Sequence, residues 1–435
     1  MRPDLPEAFC SRMRKQLGEE FPAFLRSMEN PPVRGIRMNP LKPCRIQDQF
    51  RGNDPVPWAE NGYYLQADST AGSTIWHEAG AFYIQDPSAM IPMAVLSPKG
   101  GETVLDLCSA PGGKATQAGV MMAQRGLLVC NEPVPKRAAV LSGNIERMGI
   151  RNALVVSAWP DALASRWPEG FDAVLADVPC SGEGMFRRDP ETITEWSADK
   201  AAGCAERQRE IMAAAQAMVR PGGRLVYSTC TYNTAENEEN VRWFQQQWPN
   251  WHTEPFSLPG IDAPEGYYTC YPHRVRGEGQ FIALLRKEGE GEASLQEDRT
   301  VPKAGRSEKQ LPAEQIPCLP EATHLFGSTL IRTEFLPDVQ GIRVLRAGLH
   351  LGEIRGKNLF PDHAAADYAF RSGAQRSEIS PREGIRYLGG ETVIGSEKGW
   401  TVVCCDGLAL GWGKGSDGVI KNHYPKGLRQ GRLSI

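Results

Sequence analysis

Val104-Leu105-Asp106-Leu107-Cys108-Ser109-Ala110-Pro111-Gly112-Gly113-Lys114 decides the fold of this chain. It starts as an apolar strand and reaches an acid at Asp106. Pro111-Gly112-Gly113 then turns the chain and bares a stretch of backbone that a ligand can approach closely. Lys114 opens the next helix. Two phosphate-binding patterns fail here. Cys108 stands where the first glycine of GxxxxGK[ST] belongs and Ala115 follows the lysine, and GxGxxG is absent as well. Asn131-Glu132-Pro133 ends the next strand, and an acid at that place can accept hydrogen bonds from both hydroxyls of a ribose. A glycine loop without phosphate ligands, followed by a ribose acid, fits S-adenosyl-L-methionine better than a nucleotide phosphate.

Outward from this loop, strand and helix patterns alternate. Strands are expected at 103–107, 127–131, 153–157, 173–177, 224–228 and 281–286, with helices at 114–124, 136–148, 204–219 and 236–247. Such βα units imply an α/β fold: a Rossmann-like, open, mostly parallel, doubly wound sheet that binds ligands at the carboxyl ends of its strands. This core is assigned to 96–287. Residues 1–95 form an N-terminal α/β segment. Phe9, Met13, Leu17, Phe21, Phe24 and Leu25 have helical spacing there, Pro22 is expected to kink or end the helix, and Asp86-Pro87 reads as a helix start. Residues 288–320 are charged and poor in aromatics, and read as a linker. From 321 to 435 short strand patterns with frequent glycine predict a small β-rich, barrel-like region.

Composition narrows the class. The chain has 435 residues, 41% hydrophobic and 23% charged, as in globular proteins with a sizeable core. The net charge of −3 gives no global polycation, although 321–435 is mildly basic, with 15 Lys+Arg against 12 Asp+Glu, and the rest holds 34 against 40. The 11 cysteines are odd in number and form no CxxC pair, so the expectation is a reduced, cytoplasmic protein without structural zinc or any other metal. Cys404-Cys405 lies in an apolar strand pattern and reads as core packing. Met1-Arg2-Pro3-Asp4-Leu5-Pro6 does not look like a signal peptide, and no apolar run approaches the roughly 20 residues that span a bilayer.

Two further motifs carry thiols to later strand ends: Asp177-Val178-Pro179-Cys180-Ser181-Gly182-Glu183-Gly184 and Tyr227-Ser228-Thr229-Cys230-Thr231. Both are polar loops, a poor environment for a packed core cysteine. Two thiols beside a methyl-donor loop suit methyl transfer to a pyrimidine carbon. Carbon 5 is too weak a nucleophile to attack a sulfonium methyl unaided. A thiolate added at carbon 6 makes the ring an enamine-like nucleophile at carbon 5. After transfer the carbon 5 proton must leave and the thiol must be eliminated, which calls for a second acid or base. A carboxylate at the nitrogen 3 and amino edge would select cytosine over uracil, and Asp177 sits at the right strand end. Lys114 is expected to activate the thiol electrostatically or to orient Asp177 and the base.

With these residues assembled, the chain resembles the RNA (cytosine-5)-methyltransferase family, the Sun/Fmu and nucleolar-protein group, in its bacterial RsmF-type branch that modifies 16S ribosomal RNA. The resemblance runs over nearly the whole chain. It rests on the 109–114 loop, Glu132, the 177–186 and 227–241 motifs, Tyr271-Pro272-His273-Arg274 with Gly277-Glu278-Gly279-Gln280-Phe281, and Gly35-Ile36-Arg37-Met38-Asn39. Toward the C-terminus it rests on Gly352-Glu353-Ile354-Arg355-Gly356-Lys357 and on Gly411-Trp412-Gly413-Lys414 with Lys421-Asn422-His423-Tyr424-Pro425-Lys426-Gly427. It implies a PUA-like RNA-binding C-terminal region and an RNA-binding N-terminal segment. It also implies that Cys230 is the nucleophile and that Cys180 assists product release, the reverse of DNA cytosine methyltransferases. Asp177 keeps the cytosine. Cys108, Ser109, Ala110, Pro111, Gly112, Gly113, Lys114 and Asp177 surround S-adenosylmethionine, with Glu132 on its ribose. An acid or amide after the third strand contacts adenine in this family; here the stretch is Ser157-Ala158-Trp159-Pro160-Asp161, which leaves that contact to Asp161 or Trp159.

A cytosine inside structured RNA must leave its stack before carbon 6 can be reached, so phosphate-binding groups are expected near the site. The basic or stacking residues proposed for RNA are Arg37, Arg187, Arg188, His273, Lys414, Lys421, Tyr424 and Lys426, with the C-terminal region tethered through the linker and adding affinity by bivalency. The expected partner is ribosomal RNA or an assembling small subunit, bound by a monomer with no membrane. Three rivals stand beside this reading: the same chemistry on transfer RNA, a non-catalytic ribosome-assembly factor, and a small-molecule methyltransferase. The last would need neither two thiols nor an RNA-binding region.

Overall fold

In the computed structural model, residues 5–50, 52–316, 318–429 and 433–434 are described; the first four residues of the N-terminal stretch read above lie outside them. The centre is a nine-stranded sheet. Its order is Tyr267–Cys270, Gln280–Lys287, Val219–Thr229, Phe171–Asp177, Thr103–Asp106, Leu127–Asn131, Ala153–Ser157 and Arg343–Ala347, with Trp251–Thr253 pairing beside Gln280–Lys287. The five strands from Val219–Thr229 to Ala153–Ser157 are parallel, and the flanking pairs are antiparallel.

Alternation along these strands builds the two faces. Val104, Leu128, Val155, Leu175 and Val226 point to one side, where they meet Ala115 and Ala118 of helix Gly113–Met121 and Leu141 and Ile145 of helix Pro135–Arg147. Leu105, Val129, Val156, Val174 and Leu225 point to the other, against Leu163, Met212, Ala215 and Phe244 from helices Pro160–Arg166, Ala198–Met218 and Glu238–Gln247. Strands buried on both faces read as continuous apolar runs, which is why they were visible in the sequence.

The N-terminal segment has a three-stranded antiparallel sheet, Gly62–Leu65, Arg34–Met38 and Phe82–Gln85. The first helix stops at Leu17, earlier than Pro22, because Gly18 takes positive φ (52°); Pro22 instead sits in the first turn of helix Phe21–Ser27, where its missing N–H costs nothing. Phe9, Met13 and Phe24 pack on Phe186 and Tyr232, the aromatics just beyond the two thiol motifs, and on Tyr271. A 3₁₀ turn, Ser88–Met90, follows Asp86-Pro87 and leads into helix Ile91–Leu96, and the Asp86 carboxylate accepts from the Ser88 N–H and from the Glu278 N–H at 3.2 Å.

Two expectations for the C-terminal half are corrected. Residues 288–320 are not a free tether. Asp298 accepts from the N–H groups of Thr300, Val301 and Val339, a helix runs from Arg306 to Gln315, and Ala304, Ile316 and Leu319 are buried. Scattered small apolar residues do this, below the threshold of a hydrophobic pattern. The β-rich region is also not a single appendage. It comprises a four-stranded sheet (324–361) and a five-stranded sheet (376–422), and between the second and third strands of the first, strand Arg343–Ala347 leaves to join the central sheet beside Ala153–Ser157. Glu146, near the end of helix Pro135–Arg147, is bonded by Arg346 and by His363 (2.8 Å), whose other ring nitrogen lies 3.1 Å from the Leu410 carbonyl. The C-terminal region is therefore fixed to the core rather than tethered, and bivalency through a mobile link does not apply.

Candidate active site

The chain runs outward from Thr103–Asp106 through Leu127–Asn131 to Ala153–Ser157, then returns to the opposite side of Thr103–Asp106 as Phe171–Asp177. That reversal opens a crevice at the carboxyl ends of the strands, where doubly wound sheets bind ligands. The loops 107–113 and 178–182 leave from its two sides, so the glycine cradle and the first thiol face one another by topology alone.

On the cradle side, Gly112 has φ +112°, a conformation that favours glycine, and a Cβ there would come within 3.1 Å of Leu141. Arg37 lies behind this loop. It is 4% exposed and donates to the Gly113 carbonyl (3.0 Å), to Thr116 Oγ1 (2.7 Å) and to Gln85. Its expected role on RNA is thus replaced by bracing the start of helix Gly113–Met121. Asp106 is buried; Ser109 Oγ donates to its Oδ2 at 3.0 Å, while Oδ1 has no partner. Burial, then the charge of Asp177, push Asp106 up to about 7. Glu132 is buried at the next strand end, accepts from the Val134 N–H at 3.0 Å and has Arg137 at 3.3 Å. Asn131, quoted in the sequence only as a strand end, donates to the Leu107 and Ala158 carbonyls and so fixes both rims of the crevice. An orphaned buried carboxylate oxygen, a ribose-ready acid and a cradle that a Cβ would fill match the polar groups of S-adenosylmethionine. Asp161 is exposed in the first turn of Pro160–Arg166, and Trp159 beside it is 68% exposed.

On the thiol side, Asp177 receives three hydrogen bonds: from Lys114 Nζ to Oδ2 (2.7 Å), and from Ser228 Oγ (2.6 Å) and Gln280 Nε2 (3.2 Å) to Oδ1. Burial works against the Lys114 ammonium, but Asp177 outweighs it and the proton is held more tightly than usual. Ser228 and Gln280 were not singled out in the sequence; each lies inside a quoted motif, and only strand pairing shows that they meet one carboxylate. Cys180 and Cys230 are free thiols with their sulfurs 3.1 Å apart, and the Cys230 N–H also donates to Cys180 Sγ at 3.3 Å. The contact with Cys230, then burial, hold Cys180 well above the ordinary thiol range.

The residues read as RNA contacts divide. Arg188, Lys414, Lys421 and Lys426 are exposed. Arg187 is sequestered by Glu278 (2.9 Å) and the carbonyls of Ser27 and Gly277. His273 is mostly covered and bonds Glu20. Tyr424 is 5% exposed and packs on His363 and Tyr387. These three hold elements together; burial was not readable from their basic or aromatic surroundings.

A nucleoside cradle on one wall of the crevice and sulfur on the other define the class, an S-adenosylmethionine-dependent methyltransferase. Comparison with known proteins gives the family. The description "16S rRNA methyltransferase RsmB/F" matches residues 93–286, and "N-terminal domain of 16S rRNA methyltransferase RsmF" matches 5–87. "RsmF rRNA methyltransferase first C-terminal domain" matches 313–366, and "Methyltransferase RsmF PUA domain" matches 375–430. The ribosomal RNA small subunit methyltransferase F of Erwinia tasmaniensis is 31% identical over 98% of both chains, and that of an Enterobacter species 32% over 98% of this chain and 97% of its own. A crystal structure of a methyltransferase homolog protein from Pyrococcus horikoshii is 28% identical, with a TM-score of 0.57 over 66% of this chain and 96% of its own. The chain belongs to the RsmB/F family of 16S rRNA methyltransferases, of the RsmF type. Among the described residues no helix is long and apolar enough to cross a membrane.

Proposed function

We propose that the chain forms 5-methylcytosine in 16S ribosomal RNA, with Cys230 as attacking thiol and Cys180 as the group that assists release. One observation carries the reading: the two sulfurs touch at 3.1 Å beside the cofactor crevice, so both can reach one flipped base, and the resemblance of the Thr229-Cys230 motif to that of the RNA family gives Cys230 the attacking role. S-adenosylmethionine, when bound, supplies an electrophilic methyl group. The residues do the rest. Cys230 sulfur bonds to carbon 6 of the flipped cytosine, and its electrons reach carbon 5, which takes the methyl. The Asp177 carboxylate, oriented by Lys114, Ser228 and Gln280, faces the nitrogen 3 and amino edge. The carbon 5 proton then passes to water, the electrons of that C–H bond re-form the 5,6 double bond, and the bond between Cys230 and carbon 6 breaks with its electron pair going to the sulfur, the departure that the Cys180 thiol assists by donating a hydrogen bond to it. Retention of both thiols and of the Asp177 network counts against a non-catalytic assembly factor. All these groups come from one chain, which supports a monomer, working on ribosomal RNA in the bacterial cytoplasm.

The test is to incubate Cys180→Ala protein with S-adenosylmethionine and small-subunit RNA and run a denaturing gel. A covalent protein–RNA adduct is expected to accumulate well above wild type, with 5-methylcytosine found by mass spectrometry in the wild-type product. Adduct formation by Cys230→Ala instead would reverse the two roles.

The five-stranded C-terminal sheet offers a second RNA contact. Lys414 lies over the Trp400 ring (5.3 Å), His423 packs edge-on against the same ring (4.7 Å), and Lys421 pairs across from Lys414. Half-exposed rings among cations suit unstacked bases and phosphates. Removing both lysines as Lys414→Ala/Lys421→Ala is expected to lower the slope of log affinity against log salt by roughly 1 to 2. Filter binding over a salt series reads this, and an unchanged slope would place the RNA elsewhere.

A further inference from the structure

Glu236 is fully buried, belongs to neither thiol motif's strand end, and takes no part in the chemistry above. It nevertheless meets both thiol loops. The Ser181 N–H donates to Glu236 Oε2 at 2.9 Å, and Ser181 Oγ donates to Oε1 at 2.5 Å. Because the Ser181 hydroxyl spends its proton on Glu236, it must accept from Thr231 Oγ1, 2.8 Å away. Ser181 follows Cys180 and Thr231 follows Cys230. The carboxylate is thus the hub of a bridge running from one cysteine's neighbour to the other's.

Gln208, from helix Ala198–Met218, completes the hub. Its Nε2 donates to Glu236 Oε2 (2.9 Å) and to the Pro179 carbonyl (3.0 Å). Its Oε1 accepts from Asn240 Nδ2 at 3.0 Å, which with the two acceptors on Nε2 fixes the amide orientation. Next along the chain, Asn237 Nδ2 donates to the Thr231 carbonyl (3.0 Å) and its Oδ1 accepts from Thr229 Oγ1 (2.6 Å). Residues 179–181 and 229–231 are therefore both tied to the single turn that carries Glu236 and Asn237.

We propose that Glu236 is a positioning residue that clamps the two thiol loops together and keeps Cys180 in reach of the sulfur it must help to release. The inference rests on the reading of Cys230 as nucleophile and Cys180 as release residue. The donor set supports it: three donors and no acceptor require a carboxylate rather than an amide. Charge supports it too. After the Cys230 contact and burial, the nearby Glu236 charge is a further influence that holds the Cys180 thiol neutral. Burial pushes Glu236 itself upward, and the Ser181 and Gln208 donors oppose that.

Full-length Glu236→Gln is the test, with Glu236→Asp as the conservative variant, S-adenosylmethionine and small-subunit RNA as substrates, and melting and cofactor affinity as controls for folding. Turnover is expected to fall roughly tenfold while the covalent RNA adduct rises several-fold above wild type, a partial copy of Cys180→Ala. Glu236→Asp should restore part of the turnover. Adding Glu236→Gln to Cys180→Ala should raise the adduct no further, because the two changes act on one step. Adduct and turnover falling in parallel, or an adduct at the wild-type level, would overturn the proposal. A second measurement needs no RNA. Diamide takes two electrons and two protons from a thiol pair within reach and leaves a disulfide. Peptide mapping should show Cys180–Cys230 bond formation slowed several-fold in Glu236→Gln, and an unchanged rate would also overturn it. Failure of Cys180→Ala itself to trap RNA would refute the release role alone, and the diamide rate would still read the clamp.

Discussion

Cys230→Ala protein is expected to lose methyl transfer to small-subunit RNA by roughly 10⁴-fold or more, because carbon 5 has no route to nucleophilicity without sulfur at carbon 6. Neither Cys180 nor Cys108 can substitute. Once the Cys230 sulfur is gone, burial still favours the neutral Cys180 thiol, and Cys108 is held neutral by burial and by the Asp106 charge. S-adenosylmethionine affinity should stay within about twofold, since the cradle 108–113 and Glu132 are untouched. Incorporation of labelled methyl, read beside cofactor binding by calorimetry, checks both halves. The Cys180→Ala/Cys230→Ala double variant should show no adduct on a denaturing gel. Activity above about a tenth of wild type in Cys230→Ala would end the covalent reading at this residue.

Asp177→Asn is expected to cost roughly 1,000-fold in kcat/KM for RNA, comparable with losing a preorganised group that meets developing charge. The amide keeps the shape, yet it turns an NH₂ toward one of the donors Lys114, Ser228 or Gln280 that now converge on a carboxylate. It also leaves the Lys114 ammonium in a buried place without its anion. RNA retention on filters should barely change, because phosphate contacts elsewhere supply most of the affinity. Single-turnover kinetics separates the two readouts. A loss below tenfold would show that this carboxylate does not face the reacting base.

The central sheet was legible because a strand buried on both faces needs an uninterrupted apolar run. Leu127–Asn131 and Ala153–Ser157 have the predicted bounds, and Phe171–Asp177 only extends the predicted strand. The cradle, Glu132 and the thiol loops were legible for a related reason: glycines, an acid and cysteines at strand ends have few structural uses. What stayed hidden depends on long-range pairing. Arg343–Ala347 reads as a local strand, and nothing in its residues says that it pairs with a strand nearly two hundred positions earlier. Arg37 and Arg187 look like phosphate ligands because a buried arginine is rare; their partners, the Gly113 carbonyl and Glu278, lie 76 and 91 residues away. Glu236 sat in a quoted motif without a role, since hydrogen bonds that join separate loops leave no spacing signature.

That late strand has a consequence during synthesis on the ribosome. Ala153–Ser157 presents its open edge to solvent until Arg343–Ala347 has left the exit tunnel, and four of its five residues are fully apolar and buried in the finished sheet. An unpaired apolar edge is a template for joining another chain. Nascent molecules thus pass through a sticky intermediate whose lifetime is set by translation of the intervening residues, at roughly 5–20 residues per second. Chains cut short after the cofactor-binding half would never leave it. Arg343–Ala347 serves as a seal carried only by chains translated past it, which ties solubility of the methyl-transferring half to synthesis of the region that follows.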